Sequence, residues 1–325
     1  LVCFWQKKLV AQNKTNKLID SLLTLLKTTK ADTSKVNIMN ELSLLYTEYA
    51  QLRNLEKAKQ YEDSAFTLAN RFNYKKGIAE SYRRLGAIED AQNKYDDALR
   101  EFRTALKLSE EIGDLKGVGD CYHRLGRIFR IQQNYSEAIK NYNDAVRIRT
   151  EIKDYNGIFT TFEGLSLIYN LQSNYPEVLN IIETVRMVAK KIRDTSRIGF
   201  SYMREGDIYL NLGNYSEALK KYQTALDIRK ANGNKFGIAN SLLSIGNIYW
   251  HQSNYLEALE NYQTALNIYV EFGVKDGIAN AKHSIGNINF QQGNYPEALN
   301  NYLFSLKILE EIGNIGGIAE LNNNI

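Results

Sequence analysis

Glycine recurs on a forty-residue interval at Gly77, Gly117, Gly157, Gly237, Gly277 and Gly317, and tyrosine keeps the same interval at Tyr95, Tyr135, Tyr175, Tyr215, Tyr255 and Tyr295. A fixed period of this size demands stacked copies of one supersecondary unit, because no single copy can bury its apolar face alone. Within the copy that begins at Gly237, Leu242, Ile245, Gly246 and Tyr249 fall at three- and four-residue steps and share one helical face. Ala258, Leu259, Tyr262, Ala265 and Leu266 do the same in its second half. Ser253-Asn254 breaks the pattern between the halves, and Gly273 ends it. Gly113, Gly233, Gly313 and Asn73 hold the place of Gly273 in other copies and suit the left-handed conformation that closes a helix. Each copy is therefore expected to be two antiparallel helices.

The two prolines, Pro176 and Pro296, each follow a grid tyrosine. A helix start tolerates the missing amide, so they mark beginnings rather than kinks. Gly246 and Ala258 are expected where the two helices of a copy cross, and Ala265 where the second helix meets its neighbours. Larger side chains there would cost roughly 1–3 kcal/mol through overpacking. The order Leu242-x2-Ile245-Gly246-x2-Tyr249, then Ala258-x3-Tyr262-x2-Ala265, resembles the tetratricopeptide repeat, with Leu242 where that family often has Trp. The period exceeds the family's usual ~34 residues; similar long repeats occur in kinesin light chains and in bacterial signalling proteins. The resemblance implies an all-α, right-handed α-solenoid, a superhelix of stacked antiparallel helix pairs, with the extra length in the second helix and its exit loop. HEAT and armadillo units share the period but lack this Gly/Ala order.

In chain order, residues 1–36 read as an N-terminal segment and a capping helix, with Leu18, Ile19, Leu22, Leu23, Leu25 and Leu26 on one broad face. Asp32-Thr33-Ser34 supplies favourable N-cap types for the next helix. Seven repeats follow at 37–76, 77–116, 117–156, 157–196, 197–236, 237–276 and 277–316, and 317–325 begins an eighth. The first is diverged, with Tyr46 at the glycine position and Glu62 at the aromatic one. In the fourth, Ser166 replaces the glycine, and Val178 and Val185 replace the alanines, which predicts a local irregularity around residues 160 to 197. The array stops in mid-pattern, so the natural protein is expected to continue, with output domains a possible sequel. Leu1 to Trp5 followed by lysines reads either as the tail of a secretory signal ending near Ala11 or as an amphipathic helix. The compartment is accordingly cytoplasmic, or bacterial periplasmic or secreted.

No motif of catalysis stands out: HExxH, the Walker lysine loop and GxSxG are missing, and the glycines of Gly117-Val118-Gly119 fall at a repeat junction. Neither a cofactor nor a metal is expected, since His123, His251 and His283 are not in ligand spacing. His251 and His283 sit on neighbouring first helices, offset by about 12 Å at 1.5 Å per residue. A net charge of +4 with interspersed signs gives no reason to expect nucleic acid. No stretch is long enough in apolar residues to span a membrane. Cys121 stands where sister copies have Ser81, Ser201 and Ser241 and reads as a small buried residue. Cys3 falls in a segment expected to be irregular, and a disulfide between the two is not expected.

The resemblance places the first helices on the concave side. Helical spacing then selects the residues opposite their packing stripe: Phe200, Met203, Asp207 and Leu210; Asn240, Leu243, Asn247 and Trp250; Asn280, His283, Asn287 and Phe290. Asparagine is a mediocre helix former, and an amide that both donates and accepts could hold a peptide backbone, with the aromatics as anchors. The alternative is that the amides bridge helices and the aromatics are ordinary packing. Earlier in the chain the same positions hold Arg83, His123, Arg127 and Arg130, a set that suits an anionic or acidic ligand. Salt bridges between helices are the competing explanation. The expected partner is a protein or peptide held by a non-enzymatic adaptor or sensory scaffold. A structural array that self-associates end to end through its open last repeat is the other reading.

Overall fold

The computed structural model describes residues 2–48 and 54–324, with side chains described over 15–48 and 54–322. Among these residues there are sixteen helices and no strand. They form two compact units, Val10–Val178 and Leu179–Ile325 with Leu1–Leu9. The first unit contains α2 (Thr33–Glu48), α3 (Leu55–Arg71), α4 (Lys75–Ala91), α5 (Tyr95–Glu111), α6 (Leu115–Ile131), α7 (Tyr135–Glu151), α8 (Tyr155–Leu171) and most of α1 (Val2–Thr28). The unit boundary falls inside α9 (Tyr175–Lys191). The second unit then holds α10 (Thr195–Asn211), α11 (Tyr215–Ala231), α12 (Lys235–His251), α13 (Tyr255–Phe272), α14 (Lys275–Gln291), α15 (Tyr295–Ile312) and α16 (Ile315–Asn324).

The stacked-pair architecture anticipated from the forty-residue period is present in both units. From α2 to α8, and again from α10 to α16, each helix packs on the next. First helices of successive pairs also meet, α2 with α4, α4 with α6, α6 with α8 and α12 with α14, whereas no two second helices pack to that extent among the described residues. Elements that crowd together lie on the inside of a bend. The first helices therefore line the concave side of each unit.

Turn chemistry sets the period. A residue with positive φ closes both helices of each pair from α4 to α15, and closes α3: Asn93, Gln133, Ser173, Gly213, Ser253 and Gly293 inside the pairs, and Asn73, Gly113, Lys153, Arg193, Gly233, Gly273 and Gly313 between them. Glycine meets this demand without strain, but Lys153 and Arg193 show that the array tolerates other residues there. The next helix is then capped by a side chain, as where Asp154 Oδ1 accepts from the Gly157 amide at 3.0 Å and Asn214 Oδ1 from the Glu217 amide at 3.2 Å. Asp32 Oδ1 caps α2 in the same way through the Ser34 amide at 2.8 Å. Both helices of a typical pair run 17 residues, so the extra length is shared rather than confined to the second helix and its exit loop. Pro296 lies in the first turn of α15 and causes no kink.

Packing revises the role of the second glycine in each copy. A Cβ on Gly246 would lie 2.6 Å from Tyr262 Cε1, and one on Gly286 would lie 2.6 Å from Tyr302 Cε1. The glycine makes room for an aromatic ring rather than for a crossing of backbones. Ala258 and Ala265 are fully buried beside that ring. At the N-terminal end Ile19, Leu22, Leu23 and Leu26 pack against Ile38, Leu42 and Leu45. Leu18 and Leu25 are exposed, because the expected six-residue face is wider than the neighbouring helix covers. Helix α1 begins at Val2, so Cys3 belongs to a helix and not to an irregular segment; its side chain and that of Ala11 lie outside the described ones. In the fourth repeat α8 and α9 are both 17 residues long, so Ser166, Val178 and Val185 do not interrupt either helix.

A buried carboxyl and a buried charge cluster break the apolar pattern. In Val10–Val178, Glu62 is fully buried near Ser43 and Ser81, and burial pushes its carboxyl up to about 7. In Leu179–Ile325, Glu205 stands where Ile245 and Ile285 stand in later copies, and it holds Arg186 at 2.6 Å and Lys221 at 2.6 Å. Arg186 also lies 4.2 Å from the centre of the Tyr202 ring.

Candidate ligand-binding faces

In Leu179–Ile325 the residues selected by helical spacing divide according to what lies behind them. Asn247 Oδ1 accepts the Tyr262 hydroxyl at 2.7 Å, Asn287 Oδ1 accepts that of Tyr302 at 2.7 Å, and Asp207 Oδ1 accepts that of Tyr222 at 2.9 Å. Asn240 Oδ1 accepts from Tyr269 at 2.7 Å. A buried phenol needs an acceptor, and leaving it without one costs about 1–3 kcal/mol. The recurrence of Asn in mid-helix thus has a structural cause, the tyrosine of the second helix. Only the carbonyl is consumed. Among the described residues no acceptor takes the Nδ2 protons of Asn247 or Asn287, and both side chains are half-buried on the concave side.

The apolar members differ in reach. Phe290 and Phe200 are 50% and 54% exposed and are free to act as anchors. Trp250 and Leu243 are half-buried against the α12–α13–α14 core, and Leu210 against the α11–α12 core. Trp250 stacks edge-on against His251 at 4.9 Å. Met203 does not line the groove: at 9% exposure it packs in the core, 3.5 Å from Ser241 Oγ. The reason is the bend, which turns its position toward the next first helix. Asn280 is exposed, and His283 is half-buried edge-on to Tyr302 at 5.8 Å, its imidazole pKa lowered by burial. Burial also raises the Asp207 carboxyl.

Val10–Val178 has a cleft of about 710 Å³ on the same side, lined mainly from α2, α4 and α6. It brings together Arg83, His123 and Arg127, but Arg130 is not among its lining residues. Sequence reasoning passed over Lys76, Lys116 and Arg149, which the fold adds to the wall. Most of the guanidinium groups are already engaged. Glu80 pairs with both Arg83 and Arg84, Asp90 with Arg127, and Glu48 with Arg124. Arg149 bonds Asp120 at 2.7 Å, the Gly157 carbonyl at 2.7 Å and Thr161 Oγ1 at 2.6 Å. Burial and the nearby guanidinium of Arg149 push the His123 imidazole down to about 3, so it stays neutral at physiological pH.

Nothing in either unit assembles a metal site: among the described residues no cluster of His, Cys, Asp and Glu could hold an ion. Cys121 is buried, and desolvation pushes its thiol up to about 12, far from a reactive thiolate. No helix of the described residues is long and apolar enough to cross a membrane.

A concave wall of first helices, glycines that admit a tyrosine ring, and side chains left facing inward define a repeat scaffold for protein interaction. Family models described as tetratricopeptide repeat match residues 197–271, 237–311 and 78–151, together more than half of the chain. The chain belongs to the tetratricopeptide repeat family. No curated protein sequence matches it significantly. Among solved structures it is similar to the apo form of RapI, with a TM-score of 0.62 at 16% identity over 94% of this chain and 95% of that one. It is also similar to the apo form of the quorum sensor NprR from B. thuringiensis, with a TM-score of 0.50 at 14% identity over 94% and 96%. A third is the signal transduction ATPase with a tetratricopeptide repeat sensor from Pyrococcus horikoshii, with a TM-score of 0.54 at 17% identity. The match covers 95% of this chain and 52% of that one, so the chain spans about half the length of the P. horikoshii protein. At these identities the likeness is one of fold.

Proposed function

We propose that this chain is a non-catalytic adaptor that holds an extended peptide along the concave face of Leu179–Ile325. The observation that carries the reading is the pair of asparagines whose carbonyls are pinned by Tyr262 and Tyr302 while their amide protons remain unused. Pinning one end of an amide orients the other at no further entropic cost, so each copy offers a pre-set donor to a peptide carbonyl. Exposed Phe290 then supplies an apolar anchor within reach of the same helix face. The quorum-sensing function printed for NprR agrees with a signal-receiving role for this kind of scaffold.

The test is selection of a phage-displayed random peptide library on the full chain, followed by Asn247→Asp with Asn287→Asp. The carboxylate keeps the acceptor for each tyrosine, as Asp207 already does for Tyr222, and removes the donor. Selected peptides are expected to lose at least tenfold in affinity. Equal binding to the variant, or no selectable peptide, refutes the reading.

A further inference from the structure

The cleft in Val10–Val178 differs from the peptide face in kind, and its unfilled hydrogen-bonding capacity has a pattern. Its lining carries seven cationic side chains and four acidic ones. Asp90 and Asp154 stand outside the lining and reduce that excess by holding Arg127 and, at 3.7 Å, Arg149. Two cations escape this pairing. Lys76 and Lys116 are exposed, occupy the same place in successive copies, and have no ion-pair partner among the described residues. On the same wall, Arg83 Nη1, Arg84 Nε and Arg149 Nε have no hydrogen-bond acceptor among the described residues. The Asp114 carboxylate lies 3.6 Å from Arg83 Nη1, an ion pair but beyond hydrogen-bond reach.

This remainder selects among anions. A carboxylate is best met by the two parallel N–H groups of one guanidinium fork. Here Glu80, Asp90 and Asp120 already take one terminal nitrogen each of Arg83, Arg84, Arg127 and Arg149, so a carboxylate ligand would have to share a guanidinium with a resident acid. The unpartnered groups are single N–H groups on separate arginines, two ammonium point charges and one acceptor, Glu80 Oε1, whose charge Arg84 already offsets. That set suits a tetrahedral dianion with several oxygens, each met by a different donor. The volume of about 710 Å³ falls in the range of small-ligand sites and exceeds one phosphate group, leaving room for what the phosphate is attached to.

We propose that the concave cleft of Val10–Val178 binds a phosphate-bearing ligand, with Lys76 and Lys116 supplying the charge and the lining arginines the directional donors. The phosphate comes from a small phosphorylated compound or from a phosphorylated side chain; the recognising chemistry is the same. The assignment does not depend on peptide binding in Leu179–Ile325, and its failure would leave that reading untouched.

Isothermal titration calorimetry of the full chain at fixed ionic strength tests it with four probes: pyrophosphate, a blocked phosphoserine tripeptide, the same tripeptide without phosphate, and citrate. At least one phosphate probe is expected to bind tenfold more tightly than citrate and than the unphosphorylated peptide. A stronger pyrophosphate signal identifies a small compound as the source, and a stronger phosphopeptide signal identifies a phosphorylated side chain. Lys76→Ala with Lys116→Ala is expected to weaken that binding at least tenfold. Both lysines are exposed and unpaired, so the variant's circular dichroism should match the parent's. Citrate binding as tightly as the phosphate probes, no binding of either phosphate probe, or unchanged affinity in the double variant overturns the proposal.

Discussion

The concave faces of the two units use the same helix positions for different chemistry. In Leu179–Ile325, Asp207, Asn247 and Asn287 each stand fifteen residues before a tyrosine whose hydroxyl they accept. In Val10–Val178 the corresponding pairs are Thr47 with Glu62, Ala87 with Phe102, and Arg127 with Tyr142. In Leu179–Ile325 the second helix presents a phenol and the first helix supplies its acceptor, whereas buried Tyr142 faces Arg127, which can only donate. Where the second helix presents Phe102, which needs no acceptor, a buried Ala87 suffices, and the wall is left to arginines and acids from other positions. The groove is thus chosen partly from behind: what a face offers a ligand is what remains after the packing partner has been satisfied.

The sharpest way to break this comparison is to remove the acceptors outright. Asn247→Ala with Asn287→Ala should abolish capture of selected peptides and also lower the melting temperature, because two buried phenols each lose a partner worth about 1–3 kcal/mol. Loss of capture with unchanged melting would show that the tyrosine bonds carry no stability. Next in size is Glu62, the buried acid that replaces an aromatic in the first unit. Its folded pKa of about 7 lies above the usual carboxylate value, so the proton favours the folded state. The resulting stability is complete below about pH 4.5 and is lost as pH rises through about 7, amounting to about 3 kcal/mol at most. Glu62→Gln should remove that pH dependence and raise the melting temperature at pH 8, measured by calorimetry. A parent chain equally stable at pH 5.5 and pH 8 would count against a buried neutral carboxyl.

A smaller gain is expected from restoring the aliphatic pattern in the second unit. Arg186→Leu with Glu205→Ile replaces a desolvated ion pair with the residue types of the neighbouring copies and should stabilise by about 1–2 kcal/mol in chemical denaturation. Lys221, freed of Glu205, is near enough to solvent to turn outward. Destabilisation instead would show that the charged cluster is a net contributor. The smallest effect belongs to Phe290→Ala. Half exposed, it should change stability by less than about 0.5 kcal/mol while weakening a selected peptide severalfold, as read by fluorescence anisotropy.

Much of the fold was legible because glycine and tyrosine on one grid admit few architectures. Helix starts followed from Asp32, Pro176 and Pro296, and helix ends from Gly113, Gly233, Gly273 and Gly313. The closures at Lys153 and Arg193 escaped notice, since neither residue type advertises positive φ. Met203 shares its helical spacing with Leu243 and His283 yet sits in the core, because spacing gives an angle around one helix and not the distance to the next. The tyrosine pairs are visible in the later copies, where Asp207, Asn247 and Asn287 each precede a tyrosine by fifteen residues. Arg186 and Glu205 are equally visible as charge at positions that are aliphatic in later copies, Leu226 and Leu266 for the first and Ile245 and Ile285 for the second. Arg130 was grouped with Arg83 and Arg127 by type and spacing, and the cleft closes before reaching it.

The central claim is that recognition belongs to the first helices and not to the second. Placing a benzophenone photo-crosslinker at Phe290 on α14, and separately at the 78% exposed Leu256 on α13, puts equal chemistry on the two faces. With a library-selected peptide present, irradiation should give a covalent adduct from the Phe290 position and none from the Leu256 position. An adduct from Leu256 alone would place the binding surface on the outer helices and contradict the account.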